Sequence, residues 1–568
     1  MLTDMLFTQA GRLGDRPFLL ARDRVAENGG SRVLTWAEAA DRALRLAQGL
    51  KDLGIEPGDR VCLVAENRPE WLIADHAIMA AGAISVPAYT TNTEDDHLHV
   101  LADSGAVAVI VSTAALAKNV LPAAARADDC AHVITMDAVT VAQNPGFTLH
   151  RWDDLLGAPP ATPHAGARTD TACLIYTSGT GGVPKGVMLS HGAILANCQG
   201  IHHVFRNAGL GEESFLSFLP LSHSYEHTAG QFFPISIGAE IHYAVGTDTI
   251  VQDMEEVRPT VMTAVPRLYE VFKGRVMLGL RRVPGWRRAL FERALAIGRK
   301  RYEAPATLTL WERLQDPVLD RLVRDKVRAR FGGRLKFMVS GGAPLNTEVG
   351  VFFLALGIRI LQGYGLTESA PVISCNPPER IKIDTVGPPC AGVECRIAED
   401  GEILVRGELV MQGYWNRPEA TAEAVQDGWL HTGDIGEIDE DGYLRITDRK
   451  KDIIVNSGGD NISPQRVEGF LTLEPEIAQA MVFGDKRPHL VAVIVPEGEG
   501  DTTAAEAKIA AAVERVNKTL APVERVRRFI LADAPFTVEN GQMTPTLKVR
   551  RHVLAEIYRD RLEALYRA

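Results

Sequence analysis

A loop rich in glycine and hydroxyl side chains could bind phosphate groups. The stretch Tyr176–His191 reads YTSGTGGVPKGVMLSH. After an apolar strand end it holds three hydroxyl residues and three glycines, namely Thr177, Ser178, Gly179, Thr180, Gly181 and Gly182. Glycines let backbone N–H groups approach an anion, hydroxyls add donors, and Lys185 can place a positive charge on the same phosphates. The order differs from a Walker A loop, in which Gly-Lys-Ser/Thr enters a helix. Taken alone, it also fits a glycine-rich turn with a surface lysine.

Further stretches combine glycines with polar side chains along the chain. They are SGGAPL at Ser340–Leu345, QGYGLTESAP at Gln362–Pro371, GWLHTGD at Gly428–Asp434 and ITDRKKDIIVNSGGDNISP at Ile446–Pro464. Two more stretches place a histidine or a lysine beside such residues: FLPLSHSYEH at 218–227 and NGQMTPTLKVRRH at Asn540–His552. A single chance turn does not account for all of them.

The elements that must position these stretches have an α/β pattern. Arg60–Val64 (RVCLV) and Val107–Val111 (VAVIV) are typical of buried strands, and Trp36–Leu53 is typical of a helix. Their alternation predicts largely parallel sheets covered by helices. From about Gly401 the pattern changes to short alternating strands, with Asp441-Gly442 as a hairpin turn between two of them.

Length, charge and cysteine usage exclude several classes of protein. A chain of 568 residues is too long for one hydrophobic core and should form two or more domains. The net charge of −11 argues against nucleic-acid binding, which depends on Lys and Arg. Seven scattered cysteines without C-x-x-C predict buried thiols of a reducing compartment rather than disulfides or zinc sites. With no secretory signal and no apolar run of about 20 residues, the chain is expected in the cytoplasm.

One segment departs from the acidic balance of the chain. Residues 273–336 hold eighteen Lys or Arg residues against six Asp or Glu residues, which leaves a net charge of +12. Apolar residues, with Trp286 and Trp311 among them, interleave at helical spacing. The segment could be a pair of amphipathic helices with a solvated basic face. The alternative is a surface that makes peripheral contact with an anionic membrane.

The stretches together, in their order, resemble the acyl-adenylate-forming superfamily, which includes acyl-CoA synthetases, luciferases and adenylation domains of peptide synthetases. The resemblance runs from about residue 30 to residue 552. One position departs from it: Gly181 stands where the family usually has threonine, so backbone groups must hold more of the phosphate. The resemblance implies an AMP-binding adenylation domain at 1–448, with the basic insertion at 273–336, and a C-terminal domain at 449–568.

The implied fold is α/β. The large N-terminal domain should consist of parallel-sheet α/β subdomains and a small β-barrel-like subdomain, and a small mobile α+β domain should follow. The implied reaction uses ATP, Mg²⁺ and coenzyme A. A carboxylate attacks the α-phosphate of ATP to form an acyl-adenylate, and a thiol then displaces AMP. Both steps develop negative charge, which positioned cations and donors must stabilise.

The resemblance also assigns roles to individual residues. The implied nucleotide-binding residues are Thr177, Ser178, Gly179, Thr180, Gly181, Gly182, Lys185, Gly341, Gly342, Ala343, Gln362, Gly363, Tyr364, Gly365, Thr367, Asp434 and Arg449. Among them, Tyr364 should stack on the adenine, and Thr367 should contact the α-phosphate. Asp434 should bind both ribose hydroxyls, with Arg449 beside it. Glu368 and Thr177 should hold Mg²⁺, a hard cation that prefers oxygen ligands.

Four further roles follow from the resemblance. His223 should abut the acyl carbonyl, although His227 lies in the same stretch. Lys548 should be the catalytic lysine of the C-terminal domain, alongside Thr367 and Glu368 in the reaction. Lys451 should be the hinge between the two domains. Gly458 should line the path of the pantetheine arm, because glycine suits a wall that another chain passes closely.

The acid is expected to be a long-chain fatty acid. The TPTLKVRR ending and the basic insertion before RLKFMVSGGAPL resemble long-chain fatty acyl-CoA synthetases. The alternatives are a ligase for a medium-chain or unusual acid, an acyl-AMP ligase that delivers to a carrier protein, and a nucleotide-binding regulator without catalysis. Intact Glu368, Asp434, Arg449 and Lys548 count against the regulator. Chain-length preference should depend on the packing of the residues between Ser224 and Tyr243.

Overall fold

A computed structural model describes residues 1–22, 30–140, 146–177, 183–246, 249–458, 460–498, 502–538, 540–544 and 549–567. The α-helices are α1 Leu2–Leu13, α2 Trp36–Asp52, α3 Pro69–Ala81, α4 Glu94–Ser104, α5 Ala114–Arg126, α6 Trp152–Leu155, α7 His191–Val204, α8 Phe233–Ile237, α9 Ile250–Val257, α10 Pro266–Arg281, α11 Gly285–Glu303, α12 Leu310–Leu319, α13 Asp325–Arg330, α14 Thr347–Ala355, α15 Pro418–Ala424, α16 Pro464–Leu471, α17 Thr502–Asn517, α18 Arg551–Ile557 and α19 Arg559–Arg567. Glu226–Phe232 and Asp320–Arg324 are π-helical turns, and Pro305–Thr307, Thr367–Ser369 and Pro522–Glu524 are 3₁₀ turns.

The strands alternate with these helices along most of the chain. They are β1 Pro17–Arg22, β2 Ser31–Thr35, β3 Arg60–Val64, β4 Ile84–Pro87, β5 Ala106–Val111, β6 His132–Thr135, β7 Thr148–Arg151, β8 Thr171–Thr177, β9 Lys185–Ser190, β10 Ser214–Ser217, β11 Glu240–Tyr243, β12 Val261–Ala264, β13 Phe337–Ser340, β14 Ile360–Gly365, β15 Val372–Cys375, β16 Glu394–Ile397, β17 Glu402–Arg406, β18 Gly413–Tyr414, β19 Val425–Gln426, β20 Trp429–Ile438, β21 Leu444–Arg449, β22 Ile454–Val455, β23 Asn461–Ile462, β24 Ile477–Phe483, β25 Leu490–Pro496 and β26 Val526–Leu531.

Two eight-stranded sheets form the centre of the large N-terminal part. One has the order β15-β14-β13-β12-β10-β11-β1-β2, and the other has the order β18-β9-β8-β4-β3-β5-β6-β7. Their inner strands pair in parallel, as the alternation of strands and helices predicts. Helix α3 is apolar on nearly all sides and every one of its residues is buried, which is the pattern of a helix enclosed by core.

Local sequence signals set the ends of the elements that the periodicity predicts. Helix α2 begins at Trp36 because the Thr35 side chain accepts the Glu38 N–H, and the Glu38 side chain binds back to Thr35. The strand predicted at Arg60–Val64 is β3, and the one predicted at Val107–Val111 is β5, which begins at Ala106. The expected α/β class is therefore confirmed.

The region from about Gly401 is antiparallel. Strands β16, β17, β20 and β19 form a sheet in that order, and β21 pairs with β20. The turn predicted at Asp441-Gly442 joins β20 to β21, with Gly442 at φ 81° and its N–H bonded to the Asp439 carbonyl at 2.9 Å. Glycine suits this position because φ is positive. The predicted barrel-like subdomain corresponds to this sheet.

The chain after β21 has hydrophobic clusters of its own. The three-stranded sheet β24-β25-β26 packs α16 and α17 in one cluster and α18 and α19 in another. The boundary expected between residues 448 and 449, and the mobility of the C-terminal part, stay predictions. None of the helices in the described part of the chain combines the length and apolar content needed to cross a bilayer.

Candidate active site

One cavity of about 2400 Å³ brings together most of the residues that the sequence predicts for chemistry. Its wall includes Thr177, Lys185, His223, Gly341, Gly342, Ala343, Gln362, Gly363, Tyr364, Gly365, Thr367, Glu368, Asp434, Arg449 and Lys451. Gly458 does not line it. Ser178, Gly179, Thr180, Gly181, Gly182 and Lys548 lie outside the described residues.

Parallel pairing explains why two distant motifs meet at this cavity. Strand β13 pairs with β12 and β14 in parallel, so that Ser340 lies opposite Ala264 and Gln362. The motifs that follow the carboxyl ends of β13 and β14 therefore meet at one edge of the sheet, where open α/β sheets bind ligands. Gly365 is required there, because a Cβ atom would lie 1.7 Å from the Pro371 carbonyl oxygen.

The predicted base and ribose groups lie in direct contact. The Tyr364 hydroxyl donates to Asp434 Oδ2 at 2.6 Å, and Arg449 Nε donates to Asp434 Oδ1 at 3.2 Å. Asp434 and Arg449 face each other across β20 and β21. Burial, and then the Asp434 carboxylate, raise the pKa of Tyr364 well above its usual range. Tyr364 therefore stays a neutral donor that orients the carboxylate predicted to bind ribose.

A tyrosine that the sequence analysis does not single out links the residues predicted to bind the metal and the phosphates. The Tyr414 hydroxyl donates to Glu368 Oε1 at 2.8 Å, and Lys185 Nζ lies 5.0 Å from the centroid of the Tyr414 ring. The backbone supports this contact, because the Met411 N–H donates to the Glu368 carbonyl and the Trp415 N–H to that of Gly186, each at 2.8 Å. Burial, and then the Glu368 carboxylate, raise the pKa of Tyr414, so the hydroxyl stays a donor.

We expect Tyr414→Phe to raise the Mg²⁺ concentration for half-maximal adenylation about tenfold, because the carboxylate loses the donor that orients it. The rate at saturating Mg²⁺ should change much less. Tyr414→Leu also removes the ring beneath Lys185 and should raise the KM for ATP, which Tyr414→Phe leaves unchanged. Magnesium titrations of pyrophosphate release measure both effects. An unchanged magnesium curve for Tyr414→Phe would contradict this role.

The structure separates the two histidines of one motif. His223 lines the cavity, and its Nδ1 accepts the Tyr225 N–H at 3.2 Å. His227 is 1% exposed, and its Nε2 lies 2.9 Å from Asp75 Oδ2 in the core. His227 also makes edge contacts with the Trp71 and Phe232 rings. Of the two, His223 is therefore positioned to contact a ligand.

An apolar wall continues the same cavity away from the polar residues. It is formed by Ile201, Val204, Phe205, Phe215, Ala229, Phe233, Val261 and Val339. The Phe233 ring lies edge-on to Phe205 and Phe215, with centroids 6.0 and 6.2 Å away. Only two of these residues fall between Ser224 and Tyr243, where the sequence analysis expects chain-length control. The others come from α7 and the residue after it, and from β10, β12 and β13, which packing brings to the same place.

A buried acid lies behind this wall. Glu226 is fully buried and accepts hydrogen bonds from the Ser217 and Thr263 hydroxyls, each at 2.6 Å. Burial raises the pKa of Glu226 to about 7. Thr263 lines the cavity and turns its hydroxyl toward this carboxyl. The hydroxyl is thereby satisfied inside the protein, which keeps the wall suited to an apolar ligand.

The chemistry of the predicted magnesium ligands fits a cation that also binds substrate phosphates. Glu368 supplies a carboxylate and Thr177 a hydroxyl, both on the cavity wall and both hard oxygen donors. Within the described ranges there is no group of three or more His, Cys, Asp or Glu side chains that could hold a metal ion. Mg²⁺ in nucleotide sites is held by one or two carboxylates together with phosphates and water, which matches this donor set.

The C-terminal part closes one side of the cavity. Thr544 and Val549–His552, which flank Lys548, line the wall. Arg551 forms an ion pair with Glu468 of α16, so this segment is tied to its own domain. Leu473, just after α16, packs against the cluster of Leu345 and Val351 in the large part. Residues on both sides of Lys548 therefore line the same cavity as the predicted nucleotide residues, whereas Gly458 does not.

Known proteins match this chain over nearly its whole length. The model of the AMP-binding enzyme family matches residues 6–415, and that of the AMP-binding enzyme C-terminal domain matches residues 451–568. The chain is 35% identical to a long-chain-fatty-acid–CoA ligase of Mycobacterium bovis, over 94% of this chain and 92% of the relative. It is 30% identical to the peroxisomal long chain acyl-CoA synthetase 6 of Arabidopsis thaliana, over 97% of this chain and 84% of the relative.

Solved structures show the same fold. The adenylation domain of a carboxylate reductase from Mycobacterium chelonae superposes with a TM-score of 0.78 at 23% identity, covering 100% of this chain and 91% of that domain. The O-succinylbenzoate coenzyme A synthetase of Bacillus subtilis, in complex with AMP, superposes with a TM-score of 0.70 at 22% identity, covering 97% of each chain.

Proposed function

Because this chain belongs to the family of AMP-binding enzymes, we propose that it is a long-chain fatty acid–CoA ligase. It would join a fatty acid to coenzyme A through an acyl-adenylate and release AMP and pyrophosphate. The observation that carries this proposal is the single cavity in which the nucleotide residues adjoin an apolar wall. The names of the relatives, long-chain ligases and synthetases, support the same substrate class.

The first half-reaction is acyl-adenylate formation. An oxygen of the fatty acid carboxylate attacks the α-phosphorus of ATP, and the bond from that phosphorus to the pyrophosphate oxygen breaks. We assign Lys185 to the β- and γ-phosphates, Thr367 to the α-phosphate and His223 to the acyl carbonyl. Mg²⁺ held by Glu368 and Thr177 would neutralise charge on the phosphates. Lys548, outside the described residues, is assigned to the point where carboxylate and α-phosphate meet.

Asp434, Tyr364 and Arg449 hold the other end of the nucleotide. Asp434 is 4% exposed and already oriented by two donors, so it can accept two ribose hydroxyls without rearranging. Tyr364 lines the cavity between Gly363 and Gly365 in the chain, and the missing side chains of these glycines leave room for an adenine to approach. These contacts fix the α-phosphate relative to the incoming carboxylate.

The second half-reaction is thioester formation. The sulfur of coenzyme A attacks the acyl carbonyl carbon, and the bond to the AMP oxygen breaks, so that AMP leaves. We propose that the C-terminal domain rotates about Lys451 and brings Gly458 to the pantetheine path. The position of Gly458 off the cavity wall supports a change of arrangement between the two steps.

Chain-length preference offers a direct test of the apolar wall. Ala229 lines the cavity on the π-helical turn Glu226–Phe232, so Ala229→Phe should shorten the space for the acyl chain. We expect kcat/KM for palmitate to fall about tenfold or more relative to octanoate. The ratio of the two substrates within one variant cancels any general loss of folded enzyme. An unchanged ratio would place the acyl chain elsewhere.

The function itself is tested by following products from oleate, ATP, Mg²⁺ and coenzyme A. The proposal expects oleoyl-CoA, AMP and pyrophosphate in equal amounts. Thioester with octanoate but not oleate would indicate the medium-chain alternative. Acyl-AMP that accumulates without reaction with coenzyme A would indicate transfer to a carrier protein. Absence of both products would overturn the assignment as an enzyme of this reaction.

The partners that we propose are fatty acid, ATP and coenzyme A, with no nucleic acid. We place the protein in the cytoplasm and propose peripheral contact with the inner face of an anionic membrane. Such contact suits an enzyme whose substrate partitions into lipid.

A further inference from the structure

Helix α12 presents its apolar side to solvent. Leu310, Trp311, Leu314 and Val318 are 80%, 66%, 68% and 57% exposed, and Leu322 in the following turn is 48% exposed. Their spacing places them along one stripe of the helix, here called the outer face of α12. Single exposed apolar residues are ordinary on a protein surface, whereas a continuous stripe of this kind marks a site of interaction.

Ion pairs hold the helix in this orientation. On the opposite side of α12, Glu312 binds Lys300 and Asp316 binds Arg301 of α11, each at 2.8 Å. Leu319 is buried against Ala294 and Ile297 of α11. The acidic side is therefore fixed against α11, and the described part of the chain leaves the outer face uncovered.

The arginines next to the exposed apolar residues have no ion-pair partner among the described residues. Each of the six acids in residues 273–336 forms an ion pair with a cation of that segment. Among the cations, Arg313 and Arg321 of the exposed side make no ion pair with any described residue, nor do Arg281 and Arg282 before α11. The segment therefore offers cations beside exposed apolar side chains, with no free carboxylate to repel an anion.

We propose that the outer face of α12, with Arg313 and Arg321, docks on the headgroup region of a bilayer that contains anionic lipid. Burial of leucine, valine and tryptophan side chains at the boundary of headgroups and acyl chains lowers the free energy, and arginines bind lipid phosphates. A second copy of this chain fits less well, because two such faces would bring like charges together without acids between them. The proposal concerns a surface outside the cavity and does not depend on the reaction assigned there.

Vesicle flotation of the full chain without substrates tests this surface. The protein should float with vesicles of phosphatidylcholine and phosphatidylglycerol and should float much less with phosphatidylcholine alone. Salt near 1 M, which shortens the Debye length to about 3 Å, should weaken binding to the anionic vesicles. Equal binding to both vesicle types without a salt effect, or no binding to either, would overturn the proposal.

Two variants and one control assign the binding to α12. Trp311→Ser combined with Leu314→Ser should lower the partition coefficient about tenfold, because two exposed side chains no longer enter the lipid. Arg313→Gln combined with Arg321→Gln should reduce binding at low salt only. Val523→Ser, at a position 40% exposed elsewhere on the chain, should leave binding unchanged. All these positions are exposed, so folding should be preserved.

Tryptophan fluorescence gives an independent readout. Of the seven tryptophans, Trp286 and Trp311 are the exposed ones. Brominated lipid in the vesicles should quench the fluorescence of the wild-type protein, and Trp311→Phe should remove most of that quenching. Quenching that survives Trp311→Phe would overturn the assignment of the outer face. An α12 variant that alters self-association but not flotation would assign the face to contact between copies instead, and this would also overturn the proposal.

Discussion

Glu368→Gln should lower acyl-adenylate formation by about two to three orders of magnitude, with the fold intact. Glutamine keeps the size of the side chain and can still accept the Tyr414 hydroxyl, but it removes the negative charge that draws Mg²⁺ to the triphosphate. ATP–pyrophosphate exchange across a range of Mg²⁺ concentrations measures the loss.

Glu440→Gln is the matched control for this variant. Glu440 is an exposed glutamate in the turn between β20 and β21, so the same exchange there should leave adenylation unchanged. Thermal unfolding of both variants checks that the fold survives. Near-normal magnesium-dependent turnover of Glu368→Gln would show that this carboxylate does not hold the metal.

Lys451→Pro should keep adenylation and lower thioester formation roughly tenfold or more, because proline restricts φ at the expected hinge. The Lys451 N–H makes no backbone hydrogen bond in the described part of the chain, so proline removes none. Val549–His552, which follow Lys548 in the chain, line the cavity, as the proposed first half-reaction requires. Supplied acyl-AMP with coenzyme A isolates the second half-reaction, and pyrophosphate release isolates the first.

Lys451→Ala is the control, because it removes the side chain and leaves backbone freedom intact. It should support both half-reactions. Lys548→Ala should show the opposite defect to Lys451→Pro, losing about two to three orders of magnitude in adenylation while still converting supplied acyl-AMP. Gly458→Leu should block only the thioester step. If Lys548→Ala also failed with supplied acyl-AMP, the alternation of the domain between two arrangements would be wrong.

The sequence by itself predicted which segments form helices and strands and which residues meet at the cavity. Strand β3 and helix α2 are where periodicity places them, because alternation and capping depend on residues close together in the chain. The predicted nucleotide residues within the described ranges all line one cavity.

Contacts between residues far apart in the chain determined the details of the site that the sequence did not predict. His223 and His227 share one motif, and contacts with Asp75 and Trp71 of α3 and with Phe232 hold His227 in the core. Tyr414 lies 46 residues beyond Glu368 and reaches it because β18 pairs with β9. The apolar wall likewise collects side chains from several elements.

The basic insertion is the clearest case of a feature that the sequence predicted only in part. Its composition and helical spacing predict an amphipathic helix and a positive surface. Periodicity determines that α12 has two sides, but it does not determine which side is buried. Lys300 and Arg301 of α11, together with the burial of Leu319, make that choice, because pairing the acids of α12 turns Leu310, Trp311 and Leu314 to the outside.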